Sequence, residues 1–162
     1  MEMENIYNAE TGCCPRFDPT GWDESEQTWT KNFATDNIKA FLHIPLDFGK
    51  VAMRVWQKIL ESKACTETPP LFLCNDTSPW KTQLMIETAK DVPDANMTTI
   101  SGTFLTKVFD GPFKDAPKWY KQMEQYVQSK GKQAEIIYAY YTTCPKCAKH
   151  YGHNYTVLLA KV

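Results

Sequence analysis

One run of segments in this chain is written twice, and that repetition restricts the available folds more than any other feature. From Asp47 to Ser62, the residues Val51, Ala52, Val55, Trp56, Ile59 and Leu60 recur at the three-and-four spacing of a one-faced helix. From Asp115 to Lys130 the same spacing puts Ala116, Trp119, Tyr120, Met123, Tyr126 and Val127 on one side. Asp115 is placed to cap this second helix, Pro117 falls where a first turn tolerates proline, and Gly131 supplies the stop. At an offset of 67 residues Pro45 meets Pro112, Trp56 meets Met123, Leu60 meets Val127, and "ESKA" meets "QSKG". Each helix follows an extended apolar stretch, "KAFLHIP" or "GTFLTKVFDGP". Each is followed by two strand-like runs: "PLFLCN" and "TQLMIET", then "AEIIYAYYTT" and "NYTVLLAKV".

Strand–helix–strand–strand, twice, predicts an α+β fold made of a duplicated βαββ unit. The strands are expected to pair into one curved antiparallel sheet with both helices on one face. The cleft where the copies join is the expected ligand site. The unit covers residues 35–162. Residues 1–34 contain "CCPRFDPTGWDESEQTWTKNF", with two prolines, Gly21 and no sustained period. Phe17, Trp22 and Trp29 are unusual in a disordered tail. This segment is therefore predicted to be an ordered, irregular arm that packs on the domain, crosses the sheet's open face and walls the pocket.

Composition narrows the function. A chain of 162 residues buries roughly 70% of its unfolded surface and can build a core without disulfides. A net charge of −1 with scattered basic residues excludes a nucleic-acid footprint. No apolar run approaches a membrane span, and "MEMENIYNAE" lacks the features of a signal peptide. The expectation is a cytoplasmic protein without a nucleic-acid or membrane partner; the oligomeric state is not legible. The aromatic share, 13% with five Trp and eight Tyr, exceeds what a core needs and points to a ring-lined cavity or partner surface.

Strand alternation nominates the residues of that cavity. In "PWKTQLMIET" it separates Thr82, Leu84 and Ile86 from Gln83, Met85 and Glu87. If the first set lies under the helices, Met85 and Glu87 face the cleft. A carboxyl among rings would be pushed up in pKa and suited to general acid or base work; the competing role for Glu87 is a solvated carboxylate near a strand end. Tyr138 and Tyr140 share one side of their strand, and Tyr141 looks away. With Trp80 and Trp22 they would bind flat or cationic molecules through stacking and ring quadrupoles. Trp119, on a helical stripe, belongs to the core.

"TTCPKCAKHYGH" offers a Cys-x-x-Cys pair with two histidines. Two thiolates with His150 and His153 match zinc in number, but steps of three along a helix drift by about 60° each and could not converge on one ion. The alternative set is Cys13, Cys14, Cys144 and Cys147, tying the arm to the loop between the last two strands. A redox pair requires a helix N-terminus in a βαβ unit, and buried thiols complete the options. His43, within "AFLHIP", is read as a core or edge histidine. No phosphate-binding glycine loop or serine elbow occurs.

The segment "GTFLTKVFDGPFKDAPKWYKQMEQYVQSKGK" is similar to the strand–Gly-Pro–helix signature of GyrI-like domains, the effector-binding domains of bacterial transcription activators. The resemblance covers roughly residues 35–162 and rests on hydrophobic spacing with Gly111, Pro112 and Phe113. It narrows to stand-alone members that share the "CCPxFD" and "YTTCPKCAK" segments. It implies a duplicated βαββ domain whose aromatic pocket takes hydrophobic or cationic compounds, and some members are hydrolases of strained cyclopropane-bearing toxins. Tyr138 stands where many members carry a ligand-facing glutamate, and the 35 upstream residues cannot hold a helix-turn-helix. The reading is a stand-alone binder of a small hydrophobic or aromatic molecule that requires no cofactor, with structural zinc an option. One alternative is a hydrolase of an electrophilic xenobiotic, with Glu87 activating water; another is a protein-interaction module.

Overall fold

The computed structural model describes residues 9, 14–42, 44–143 and 145–162, with backbone alone at 44, 45, 145 and 146. It is an α+β protein, with antiparallel strands and three helices among the described residues. In order these are β1 (Ser25–Phe41), β2 (Ile44–Pro45), α1 (Phe48–Glu61), β3 (Phe72–Ser78), β4 (Lys81–Thr88), β5 (Asn96–Asp110), α2 (Ala116–Ser129), β6 (Ile136–Tyr141), α3 (Pro145–Tyr151) and β7 (Tyr155–Lys161). A short 3-10 turn, Phe113–Asp115, leads into α2. The described residues divide into two compact units, Thr30–Ser101, and those up to Trp29 together with Gly102–Val162.

In the first unit β4 pairs with β1 (Ala34↔Ile86, Asp36↔Leu84) and with β3 (Phe72↔Ile86, Cys74↔Leu84). Residues opposite one another in an antiparallel pair share a face, so Ala34, Asp36, Phe72, Cys74, Leu84 and Ile86 lie on one side. Helix α1 covers that side. Its Trp56 ring meets Phe72 at 6.1 Å, and Arg54 reaches Asp36 at 2.7 Å. Val51, Ala52, Val55, Trp56 and Ile59 form its buried stripe. The first residues of β5 lie beside β1, where Thr99 Oγ1 donates to Asn32 Oδ1 at 2.8 Å.

In the second unit β7 pairs with β5 (Leu105↔Ala160, Phe109↔Thr156) and with β6 (Ile137↔Ala160, Ala139↔Leu158). Helix α2 buries Trp119, Met123, Tyr126 and Val127. Three of these close a core with Leu105, Phe109, Ala139, Leu158 and Ala160. The rings of Phe109 and Trp119 stack at 5.8 Å. The opening residues of β1 lie beside β5, where Thr28 and Thr103 hydroxyls are 3.0 Å apart. Of these three paired strands in each unit, β4 is central in the first and β7 in the second.

Three expectations need correction. The segment 25–34, read as irregular, is the first half of β1. Its burial alternates residue by residue, but through Ser25, Gln27, Trp29 and Lys31, whose polarity hides the period. The cysteine loop contains a third helix, α3, seven residues long and too short to show a stripe. The spacing of the two long helices is 68 rather than 67: Phe48 and Ala116 begin them, Glu61 and Ser129 end them, and Lys63 and Gly131 follow at positive φ. Asp115 stands at the cap of α2, but its side chain makes no capping hydrogen bond.

Candidate functional site

In the second unit, the sheet face away from α2 carries Phe104, Thr106, Tyr138, Tyr140, Val157 and Leu159, as the pairing Tyr138↔Leu159 and Tyr140↔Val157 requires. Val157 and Leu159 are fully buried, so something covers this face. The N-terminal arm supplies part of that cover, with Phe17 and Trp22 against Tyr140 and Phe17 against Tyr155. Thr20 N–H donates to Asp18 Oδ1, and Trp22 N–H closes a turn onto the Pro19 carbonyl at 3.0 Å. Gly21 takes φ +83 in that turn, a conformation a side chain would strain. The turn lays Trp22 across β5, where its carbonyl accepts a hydrogen bond from Thr106 Oγ1. Asp23 Oδ1 accepts from Val108 N–H at 3.0 Å.

Rings gather along this cover. Phe17 lies 6.0 Å from Trp22, 5.9 Å from Tyr140 and 5.8 Å from Tyr155, and Trp22 lies 5.7 Å from Tyr140. All four are half-buried. Trp29 stacks on Phe104 at 4.2 Å, and Phe104 neighbours the buried Tyr138, whose hydroxyl pKa is raised by burial. Tyr141 points to the other face and meets Phe113 edge-on.

At the end of this ring line, His153 stacks on Tyr155 at 4.8 Å and places Nδ1 2.8 Å from Asp110 Oδ2. The other oxygen of Asp110 accepts from Asn154 N–H at 2.8 Å. A carboxylate can only accept, so Nδ1 carries the hydrogen and Nε2 keeps its lone pair when the ring is neutral. Burial works against the charged form of Asp110. The bonds from His153 and the Asn154 amide, with the imidazole's charge, outweigh it and hold the carboxyl below the usual range.

In the first unit Met85 and Glu87 share the face away from α1, with Thr35 and Phe33 opposite them on β1. Met85 is buried. The Glu87 side chain is 14% exposed, and both its oxygens are engaged. Lys31 Nζ lies 2.9 Å from Oε2, and Leu71 N–H donates to Oε1 at 3.1 Å. A carboxylate so held is an anchor between strands and a paired charge. Trp80 sits in the turn between β3 and β4, 57% exposed, with its ring 5.7 Å from Phe41.

Of the cysteines read as metal ligands, Cys13 and Cys144 lie outside the described residues, as does His43. The Tyr151 hydroxyl of α3 donates to the carbonyl of Cys14, and Arg16 lies over the Tyr151 ring at 4.6 Å. The arm therefore meets the helix that holds the buried Cys147. Among the described residues, no three His, Cys, Asp or Glu side chains are grouped to hold a metal ion. Cys74 lies in the sheet of the first unit, its thiol pushed up to about 12 by burial and by Asp76; it is unreactive as a nucleophile.

The structure brings together Trp22, Tyr138 and Tyr140 among the residues nominated from sequence. Sequence reasoning missed Lys31 as the partner of Glu87, the Asp110–His153 pair, and Tyr155 beside Phe17. The "DPTGW" turn was the available signal for the arm's course, since proline followed two residues later by glycine marks a turn. The pairs themselves join residues far apart in the chain and leave no local pattern.

An antiparallel α+β domain with a ring-covered sheet face is the class this geometry defines. The chain belongs to the family described as bacterial hydrolase, whose pattern matches residues 4–162. It is also similar in fold to solved proteins of low sequence identity. A hydrolase from Listeria innocua shares 14% identity at a TM-score of 0.59, with 86% of this chain and 92% of that one covered. SAV2435, solved with tetraphenylphosphonium bound, shares 11% at 0.54, with 85% and 92% covered. A protein from Staphylococcus aureus MU50, described as a bacterial transcription regulation protein, shares 13% at 0.53, with 88% and 99% covered. No curated protein sequence matches the chain. The likeness agrees with a GyrI-like fold.

Proposed function

We propose that this chain is a small-molecule-binding protein, a duplicated GyrI-like domain of the subgroup with "CCPxFD" and "YTTCPKCAK" segments. It takes flat hydrophobic or cationic compounds on the ring line of its second unit. The observation that carries the reading is the half-buried set Phe17, Trp22, Tyr140 and Tyr155, with centroids 5.7–6.0 Å apart between neighbours. Neighbouring ring faces offer stacking and a negative quadrupole, which bind a diffuse cation without a carboxylate. Tyr138 and Phe104 continue the same sheet face, with Trp29 stacked on Phe104. The fold neighbour that holds tetraphenylphosphonium supports the ligand class. With Glu87 already paired to Lys31, cation recognition here is assigned to rings rather than to that carboxylate.

Titration with tetraphenylphosphonium is expected to quench tryptophan fluorescence saturably. Tyr140→Ala should weaken binding about 2- to 30-fold, the range for one ring facing a cation. Absence of saturable quenching up to the solubility limit would sink the reading.

A second reading, hydrolysis of an electrophilic xenobiotic, is favoured by the family description and by the Asp110–His153 pair. His153 Nε2 would accept the proton of an attacking water, with Asp110 fixing the tautomer. Glu87, with Met85 beside it, is the competing base. Turnover lost on His153→Gln but kept on Glu87→Gln distinguishes them; no turnover in the wild type removes both.

Zinc held by Cys13, Cys14, Cys144 and Cys147 is a further part of the proposal, supported by the arm's contacts with α3. Near-stoichiometric zinc in untagged protein is the expected result of metal analysis.

A further inference from the structure

Among the described residues five large hydrophobic side chains are exposed, and four of them stand at one end of the first unit. Phe41 is 55% exposed, Leu42 58%, Leu46 63% and Trp80 57%. Two neighbouring turns carry them. Phe41 pairs with Ile44 across the β1–β2 hairpin, and Leu46 N–H returns to the Lys39 carbonyl at 2.9 Å. The β3–β4 turn is joined to that hairpin, with Ala40 N–H donating to the Trp80 carbonyl at 2.8 Å. Leu42 adopts φ +48, a left-handed conformation that strains a leucine, while its side chain stands in solvent. A leucine this exposed buries little apolar surface within the chain, which leaves it available to a partner.

The surrounding charge identifies the occupant. Lys39 and Lys81 lie directly opposite each other at the base of the two turns, a like-charge pairing that destabilises a sheet. Both are exposed, as is Lys50 in the first turn of α1. The acids nearby are the half-buried Asp47 and the exposed Asp76, which lies within reach of the Thr82 hydroxyl, so the three lysines outnumber them. The whole chain carries −1, so this cationic collar is local. Exposed Trp, Phe and Leu beside lysines match the interfacial zone of an anionic bilayer, where rings sit at headgroup level and lysines meet the phosphates.

We propose that this tip docks the protein on anionic lipid membranes, with Leu42, Leu46, Phe41 and Trp80 entering the headgroup region and Lys39, Lys50 and Lys81 pairing with headgroups. The contact proposed is peripheral; no helix among the described residues is long and apolar enough to cross a membrane.

Cosedimentation with phosphatidylcholine vesicles, with and without phosphatidylglycerol, tests this. The wild type is expected to pellet with the anionic vesicles only and to be released as salt rises. The double variant Leu42→Asp, Leu46→Asp should lose at least tenfold in partitioning. Aspartate tolerates the left-handed conformation, so the fold is not at risk. Lys39→Glu with Lys81→Glu should lose about fivefold or more per lysine. Equal pelleting of wild type and leucine variant would overturn the proposal. A wild-type dimer in solution that the leucine variant dissolves, without vesicle binding, would overturn it in favour of a second copy. Tetraphenylphosphonium binding should be unchanged in the leucine variant, which separates this docking from the ligand reading.

Discussion

Asp110 shows how one side chain can tie two parts of the chain together. It ends β5, receives the Asn154 amide at the start of β7, and orients His153. Its folded pKa lies below its ordinary value, so it adds stability above the unfolded carboxyl pKa of about 3.9, lost as pH falls through the folded value. Wild type should therefore exceed Asp110→Asn in urea stability at pH 5, by about 0.2–1 kcal/mol for a pair this exposed. The gap should close as pH drops below about 4. A gap that persists unchanged at pH 2 would mean that the carboxylate's charge is not what the pair uses. Glu87 teaches the complementary lesson. Strand alternation placed it on the side away from α1, but Lys31, 56 residues distant in sequence, decides what its charge can do.

At the scale of elements, the two long helices end alike but with different residues. Gly131 follows α2 at φ +71, where glycine is unstrained; Lys63 follows α1 at φ +55, where a side chain is costly. Lys63→Gly is expected to raise stability by about 0.5–1 kcal/mol, read from the urea midpoint at unchanged slope. A neutral or negative change would show that the lysine side chain compensates for its backbone. The same pair explains why the repeat read one residue out of step: "ESKA" and "QSKG" align as letters, while the left-handed residue is Lys63 in one and Gly131 in the other. Both helices and the strands of each hairpin were legible because apolar periodicity is a local signal. The first half of β1 was not, since its inward residues are Ser25, Gln27, Trp29 and Lys31, chosen for what they meet rather than for burial alone. Helix α3 was hidden by its length and by the cysteines, which drew attention to metal chemistry. The ring line was half legible. Alternation placed Tyr138 and Tyr140 together, but only the turn at Gly21 brings Trp22 and Phe17 onto Tyr140.

For the molecule as a whole, the governing fact is that two strands belong to both units. β1 contributes Ser25–Trp29 to the second unit and Thr30–Phe41 to the first; β5 contributes Asn96–Ser101 to the first and Gly102–Asp110 to the second. A strand that unfolds in one unit is expected to fray the pairing that continues along it in the other, which would couple the two sheets through the chain itself. Single-tryptophan variants that keep only Trp56, in the first unit, or only Trp119, in the second, should report the same urea midpoint, coincident with the loss of secondary structure. Two separated midpoints would show that strand continuity does not enforce cooperativity, and that ligand binding at the rings of the second unit can stabilise that unit alone. With one transition, tetraphenylphosphonium at one hundred times its dissociation constant should raise the stability of both units of the wild-type chain, read by amide hydrogen exchange in β3–β4 and in β6–β7, by the same amount, about 2.7 kcal/mol. The exchange of β3–β4 is the informative reading, because it lies in the unit without the ring line and moves only if the two share one unfolding event.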